Sequence, residues 1–226
     1  MKKFIVGFAV VAAMAATGMA AAAESTEAND QLTTVDSGIV VGGDLGYSYT
    51  YGSNTVADSN FYPFALSSLS RGGFAWGFNA GYQINRYVAA LLGYNNFSQV
   101  EADVAGTNGA VDTQLSNFTL SAKGIIPINA QFNLFGLLGA ADMFQDFKFV
   151  NNGVTVSNTA DDGSAWTAQL GLGVGYKVTP NVQLELKDIY DFKTSYKKNI
   201  GGTDYTVYIP AVNSVLAGIS YTFNVI

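Results

Sequence analysis

The sequence predicts an all-β chain, an eight-stranded antiparallel up-and-down transmembrane β-barrel, and three observations carry that expectation. Apolar residues alternate with small or polar ones over repeated segments, the period of a strand with one greasy face. Charged residues make up only 12% of the 226 residues while 49% are hydrophobic, whereas soluble domains carry about 25% charged residues. Tight turns and long connections follow one another in alternation, the organisation of a barrel that crosses a membrane.

The alternation is clearest in residues 165–178, AWTAQLGLGVGYKV. Trp166, Ala168, Leu170, Leu172, Val174 and Tyr176 fall on one face of a strand, and Thr167, Gln169, Gly171, Gly173, Gly175 and Lys177 on the other. One face suits hydrocarbon; the other suits a narrow polar space, with the three glycines leaving room for side chains of the opposite wall.

The N-terminus reads as a secretory signal. Lys2 and Lys3 precede the apolar stretch Phe4 to Ala16, and small residues lead to Ala21-Ala22-Ala23 before Glu24, the charged, apolar and cleavage regions of a signal peptide. The expected organisation is a signal peptide over 1–23, a flexible acidic lead-in over 24–37 and a barrel over 38–226. Removing Lys2 and Lys3 leaves nine basic residues against 17 acidic ones, a formal charge of −8, which disfavours nucleic acid as a partner. No cysteine is present, so there is no disulfide framework.

The first strand is expected from Gly38 to Tyr51, with Ile39, Val41, Leu45, Tyr47, Tyr49 and Tyr51 on one face and Val40, Gly42, Asp44, Gly46, Ser48 and Thr50 on the other. The second places Phe74, Trp76, Phe78, Ala80 and Tyr82 opposite Ala75, Gly77, Asn79, Gly81 and Gln83. A third runs from Tyr87 to about Phe97, a fourth from about Leu115 to Ile126, and a fifth from Phe132 to about Phe147. In the third and fifth both faces are apolar or small, so periodicity does not set their register. The sixth is the segment already described, the seventh spans Val182 to Phe192, and the eighth about Val207 to Phe223. Tight turns are expected at 84–86, 127–131 and 179–181, and long loops at about 52–72, 98–114, 147–164 and 193–207.

Aromatic residues fall at both strand ends. Tyr82, Tyr176, Tyr221 and Phe223 stand next to tight turns or the C-terminus, and Tyr49, Tyr51, Phe74, Trp76, Trp166, Tyr190 and Phe192 next to long loops. Trp76, Tyr82, Trp166, Tyr176 and Tyr190 are the residues expected to form girdles at the two membrane interfaces. A soluble ligand barrel would instead turn its polar face to water, and that face here is mostly Gly, Ser, Thr and Asn rather than Lys and Glu.

The charges of the polar face are few. Asp44, Lys123, Glu185 and Lys187 each lie about four to six residues from the tight-turn end, roughly 10 to 15 Å above the rim. Two acids and two bases in one layer either neutralise one another and close the lumen, or form a gate that opens as the pairs exchange partners; Asn79 adds hydrogen bonds to the layer.

Gly42-Gly43-Asp44-Leu45-Gly46-Tyr47, Leu91-Leu92-Gly93-Tyr94 and the closing Gly218-Ile219-Ser220-Tyr221-Thr222-Phe223 give the chain its resemblance to the small outer-membrane β-barrels of the OmpA/OmpX and opacity-protein type. The resemblance implies location in the outer membrane of a Gram-negative bacterium after signal cleavage, contact with outer-membrane lipid and lipopolysaccharide, and delivery by the barrel-assembly machinery. It also implies that Gly218, Tyr221 and Phe223 form the C-terminal assembly signal, although Leu216 stands where a polar residue is usual and three residues follow Phe223. Some members add a peptidoglycan-binding domain after the barrel, and that anchoring role is not expected here.

No enzyme is expected. The chain has no histidine and no cysteine, which removes the commonest general base, the commonest metal ligand and the thiol nucleophile. Asp161 and Asp162 lack calcium-loop spacing, and Gly171-x-Gly173-x-Gly175 continues a strand rather than opening a helix. Neither cofactor nor metal is therefore anticipated.

The long loops remain. Asn108-Gly109, Asn152-Gly153 and Gly201-Gly202 are hairpin signals between β-formers, so three loops are expected to rise as hairpins whose edges can recruit a host or matrix surface protein. The first loop adds the apolar run 61–66. The fourth adds Lys193, Lys197 and Lys198, suited to lipopolysaccharide phosphates. The expected function is structural or adhesion-like with a largely plugged lumen; the alternative is a narrow porin-like channel for small or apolar solutes.

Overall fold

The computed structural model describes residues 37–51, 66–69, 72–97, 100–104, 109–151, 154–157, 163–200 and 203–224. In chain order their strands are β1 (Gly38–Tyr51), β2 (Leu66–Leu69), β3 (Gly72–Asn85), β4 (Val88–Asn96), β5 (Val100–Val104), β6 (Gly109–Pro127) and β7 (Phe132–Asn151). They continue with β8 (Val154–Ser157), β9 (Gly163–Lys177), β10 (Val182–Asp191), β11 (Thr194–Ile200), β12 (Thr203–Ile209) and β13 (Ala211–Asn224). Eight of these, β1, β3, β4, β6, β7, β9, β10 and β13, pair antiparallel each with the next, and β13 returns to β1. The result is a closed eight-stranded barrel.

Closure carries a stagger. Following the ladder from Gly38 through Gln83, Ala89, Lys123, Leu137, Gly171, Ile189 and Ser214 leads back to β1 at Ser48, ten residues from the start. With strands about 4.8 Å apart and 3.3 Å per residue, this stagger corresponds to a tilt near 40° and a radius of roughly 8 Å. Residues far apart in the ladder are thereby brought to one height in the lumen.

The two faces of each strand separate as the alternation requires. Phe74, Leu92, Leu138 and Trp166 are 62%, 63%, 64% and 64% exposed on the outer surface, while Asp44, Lys123 and Lys187 are each 6% exposed inside. An apolar exterior around a polar interior is inverted for a soluble protein and correct for a lipid-facing barrel.

A side-chain oxygen organises each tight turn. Asn85 Oδ1 accepts from the backbone N–H groups of Tyr87 and Val88 at 2.8 and 3.0 Å, Asn129 Oδ1 from those of Gln131 and Phe132 at 2.9 and 2.7 Å, and Thr179 Oγ1 from those of Asn181 and Val182 at 3.3 and 3.0 Å. Such local acceptors reverse the chain in the fewest residues.

At the other end the wall continues as hairpins. The ladder between β6 and β7 reaches Gly109 opposite Asn151, and β7 turns directly into β8 through the pair Asn151 and Val154. The 20 residues of β7 rise roughly 50 Å at this tilt, about twice the 25 Å apolar band of an outer-membrane barrel. β5 pairs with both β6 and β2, and β11 pairs with β12 as far as Ile200 opposite Thr203.

The eighth strand differs from the expectation. Residues 203–209 belong to the β11–β12 hairpin, and the barrel strand begins at Ala211. Pro210, which has no N–H to give the ladder, separates two runs of β-formers that periodicity alone joined.

Candidate functional site: the barrel lumen

Parity places Asp44, Asn79, Lys123, Glu185 and Lys187 on inward positions of four strands, β1, β3, β6 and β10, and the stagger brings them together across the lumen. Lys187 Nζ lies 2.8 Å from Asp44 Oδ2, and Lys123 Nζ lies 2.6 Å from Glu185 Oε1. Asn79 Nδ2 donates to Asp44 Oδ2 at 3.1 Å. Gln183 Nε2 and Ser220 Oγ donate to Glu185 Oε1 at 2.9 and 3.1 Å, and Asn133 Nδ2 donates to Gln183 Oε1 at 2.8 Å. Each carboxylate is thus met by an ammonium and by at least one neutral donor, the condition under which buried charge is tolerated.

The glycines of β9 create the space for this arrangement. Gly173 lies between Phe135 of β7 and Lys187 of β10 in the ladder, and a Cβ there would collide with the Phe135 ring. Gly175 lies between Asn133 and Glu185, where a Cβ would come within 2.6 Å of both Asn133 Oδ1 and Gln183 Nε2. The Phe135 ring in turn takes Lys123 Nζ 4.0 Å from its centroid, a favourable cation–π contact. The side chains that use the room come from the adjacent strands, not from the opposite wall, because a bare backbone position is filled first by its ladder neighbours.

A second polar layer was not singled out from the sequence. Asp191, 1% exposed, accepts from Gln169 Nε2 at 2.8 Å and from Asn117 Nδ2 at 3.1 Å. Ser121 Oγ donates to Gln169 Oε1 at 3.0 Å, and Asn95 Nδ2 to Asn117 Oδ1 at 2.9 Å. This layer stands four residues beyond Lys187, about 10 Å further toward the long-loop end. The signal was present, since Asp191 shares parity with Gln183, Glu185 and Lys187.

Above both layers the lumen turns apolar. Phe97, Leu115, Met143, Ile209 and Val212 are buried there, with Tyr196 packed against them. Phe97 and Ile209 stand just beyond their barrel strands, so connecting segments as well as strands contribute to the stopper.

The expected girdle residues lie on the outer surface at the two ends. Tyr82 is exposed near the first tight turn, Tyr176 packs on Phe132 at 4.8 Å, and Tyr221 on Phe223 at 4.6 Å. Toward the long loops Trp166 is exposed, and Tyr190 contacts both Phe192 at 4.9 Å and Tyr51 at 6.2 Å. Trp76 opens a chain of rings that continues through Tyr94 and Phe118 to Phe144 at centroid distances of 5.8, 5.1 and 5.8 Å. Gly218 faces the lumen rather than the lipid, and Leu216, 1% exposed, is also internal.

The family model of the OmpA-like transmembrane domain matches residues 35–225. The chain belongs to that family. It is an outer-membrane β-barrel of the OmpA-like type, so the tight turns face the periplasm and the long hairpins face outward. An uncharacterized protein of Coxiella burnetii is 25% identical over 261 aligned positions, covering 99% of this chain and 100% of that protein. Outer membrane protein A of Salmonella typhi is 25% identical over 215 positions, covering 95% of this chain and 55% of that protein. The chain therefore spans about half the length of the outer membrane protein A relatives it matches.

Among solved structures, Neisserial surface protein A has the same fold, with a TM-score of 0.53 at 17% identity, covering 82% of this chain and 97% of that one. The outer membrane protein OprG of Pseudomonas aeruginosa gives a TM-score of 0.53 at 14% identity, covering 85% and 100%.

The remaining loop features are only partly described. Lys193 and Lys197 are exposed. Residues 61–65, Asp161 and Asp162, residues 1–23 expected as a signal peptide and residues 24–36 of the expected lead-in lie outside the described residues.

Proposed function

We propose that this OmpA-like barrel is a non-catalytic outer-membrane protein with a closed lumen, and that its hairpins carry a structural or adhesion-like role at the cell surface. The observation that carries the reading is the lumen itself: two ion pairs, an amide-carboxylate layer and an apolar stopper succeed one another along its axis. A lumen filled in this way offers solutes no continuous path, which favours the surface role over the channel. A chain without histidine or cysteine also lacks the usual equipment for acid–base, thiol or zinc chemistry there.

Outward, the sheet ends at β2 on one side and β8 on the other. Strands with a free edge recruit extended peptide segments by backbone hydrogen bonding. Exposed Lys193 and Lys197 suit the phosphates of lipopolysaccharide or an acidic host glycan.

Cells displaying the barrel are expected to bind an immobilised extracellular-matrix preparation, and removal of residues 148–157 is expected to reduce that binding at least tenfold while leaving the barrel inserted. Unchanged binding after the deletion removes the β7–β8 hairpin from the proposal.

A further inference from the structure

Most glycines of the barrel wall are places where a side chain would collide with a neighbour, but Gly43, Gly124 and Gly136 are not, and the last two stand side by side. A Cβ on Gly124 meets nothing within 4 Å, and one on Gly136 meets only ordinary contacts at 3.8 and 3.9 Å. Both face lipid, since their lumen-facing neighbours are Lys123, Phe135 and Leu137. Local packing therefore does not account for their lack of side chains.

The two glycines are ladder partners, and the same ladder continues to Leu172 and Asp188. Along it lies a trough of about 800 Å³ on the outer wall, with Ala122, Gly124 and Gly136 toward one end, Leu138, Leu170 and Leu172 along it, and Asp188, Asn213, Tyr190 and Phe192 toward the other. The ladder rises about 3 Å per strand at a tilt near 40°. The trough accordingly climbs from the periplasmic third of the wall to the outer aromatic belt.

Its upper end is chemically out of place. Asp188 and Asn213 project from the lipid-facing side of β10 and β13, where a carboxyl is costly. Asn213 Nδ2 donates to Asp188 Oδ1 and, at 3.2 Å, to the carbonyl of Ile189. No cation pairs with Asp188 among the described residues, and the Asn213 amide already donates to Asp188 and to the Ile189 carbonyl. What the pair presents to the bilayer is acceptors.

An acceptor site needs donors at the depth of the upper acyl chains. The ester region of a glycerophospholipid offers only acceptors there. The amide-linked, hydroxylated chains of an outer-leaflet saccharolipid offer N–H and O–H donors beside a long apolar tail. A second barrel is a poor occupant, because a two-fold contact would bring Asp188 toward its own copy.

We propose that this trough is a binding site for one saccharolipid of the lipopolysaccharide class, its acyl chain lying over Gly124 and Gly136 and its amide or hydroxyl donating to Asp188 and Asn213. The site is separate from the lysines of the hairpins. It binds the chain region of the lipid rather than its phosphates.

The test is native mass spectrometry of the barrel reconstituted with equimolar lipopolysaccharide and phosphatidylethanolamine. The native protein is expected to retain one lipopolysaccharide per barrel in preference to the phospholipid. Gly124→Leu with Gly136→Leu, which fill open space, should abolish retention, and Asp188→Leu should weaken it about tenfold, the size of one hydrogen bond to a charged group. Gly43→Leu, at an equally open position on another face, should retain the lipid, and circular dichroism in vesicles should show all variants folded. Equal retention of the two lipids, no retention by the native barrel, or retention unchanged by the filled trough overturns the proposal.

Discussion

Gly218 stands directly across the ladder from Asp44, and a Cβ on Gly218 would strike the Asp44 carboxylate. On its other side Gly218 is the ladder partner of Glu185. The two acids of the lumen therefore flank one residue without a side chain. The glycine that matches an assembly signal in the sequence also has a structural duty in the folded barrel, and the two roles can be separated.

Gly218→Ala is expected to displace Asp44 from Lys187 and to destabilise the inserted barrel by about 1–3 kcal/mol, as overpacked interiors do. Urea unfolding in lipid vesicles measures the change. In an Asp44→Ala background the same substitution should cost less, because the collision with the carboxylate is gone and only that with the Gly43 carbonyl remains. Equal costs in the two backgrounds would mean that contact with Asp44 is not what requires glycine.

Breaking one ion pair should be worse than removing it whole. Lys187→Met alone leaves Asp44 buried with only the Asn79 amide, a loss of about 3–5 kcal/mol, while Lys187→Met combined with Asp44→Leu is expected to recover much of it. The same unfolding measurement decides. A double variant less stable than the single one would show the pair to be a net source of stability.

Gly173→Leu should push the Phe135 ring away from Lys123, at a cost of about 1–3 kcal/mol. Pairing it with Phe135→Ala removes the collision with the ring, though not that with the Leu186 carbonyl, and should restore part of the stability. Failure of that rescue would place the role of Gly173 elsewhere.

Phe223 is half exposed on the lipid face and packs on Tyr221 at 4.6 Å. If the two rings serve as an assembly signal, Phe223→Ala lowers the fraction of chain inserted into the outer membrane several-fold, followed by membrane fractionation. Insertion equal to that of the native protein would remove Phe223 from the signal.

Much of the architecture was legible because a barrel in lipid imposes a simple rule on every strand. Asp44, Lys123, Glu185 and Lys187 could be assigned to one interior from parity alone. Which acid meets which base could not, since that depends on the ten-residue stagger, and alternation within a strand contains no information about stagger between strands. The apolar stopper was hidden for another reason: Leu115 and Met143 sit on strands whose outward residues are also apolar, and Phe97 and Ile209 approach from outside the barrel strands. Asp191 has the right parity but ends its strand, where alternation no longer separates lumen from loop. Periodicity extends the eighth strand too far, because Tyr205 to Ile209 and Ala211 onward are both β-formers and only Pro210 breaks them.

The closed lumen is the central claim, and single-channel recording in planar bilayers tests it most directly. The native barrel is predicted to show no stable opening on the nanosiemens scale, and Lys123→Ala, which removes an ammonium from Glu185 and from the Phe135 ring, to raise the frequency of brief small openings. A sustained nanosiemens conductance from the native barrel would contradict the account and identify the lumen as a pore.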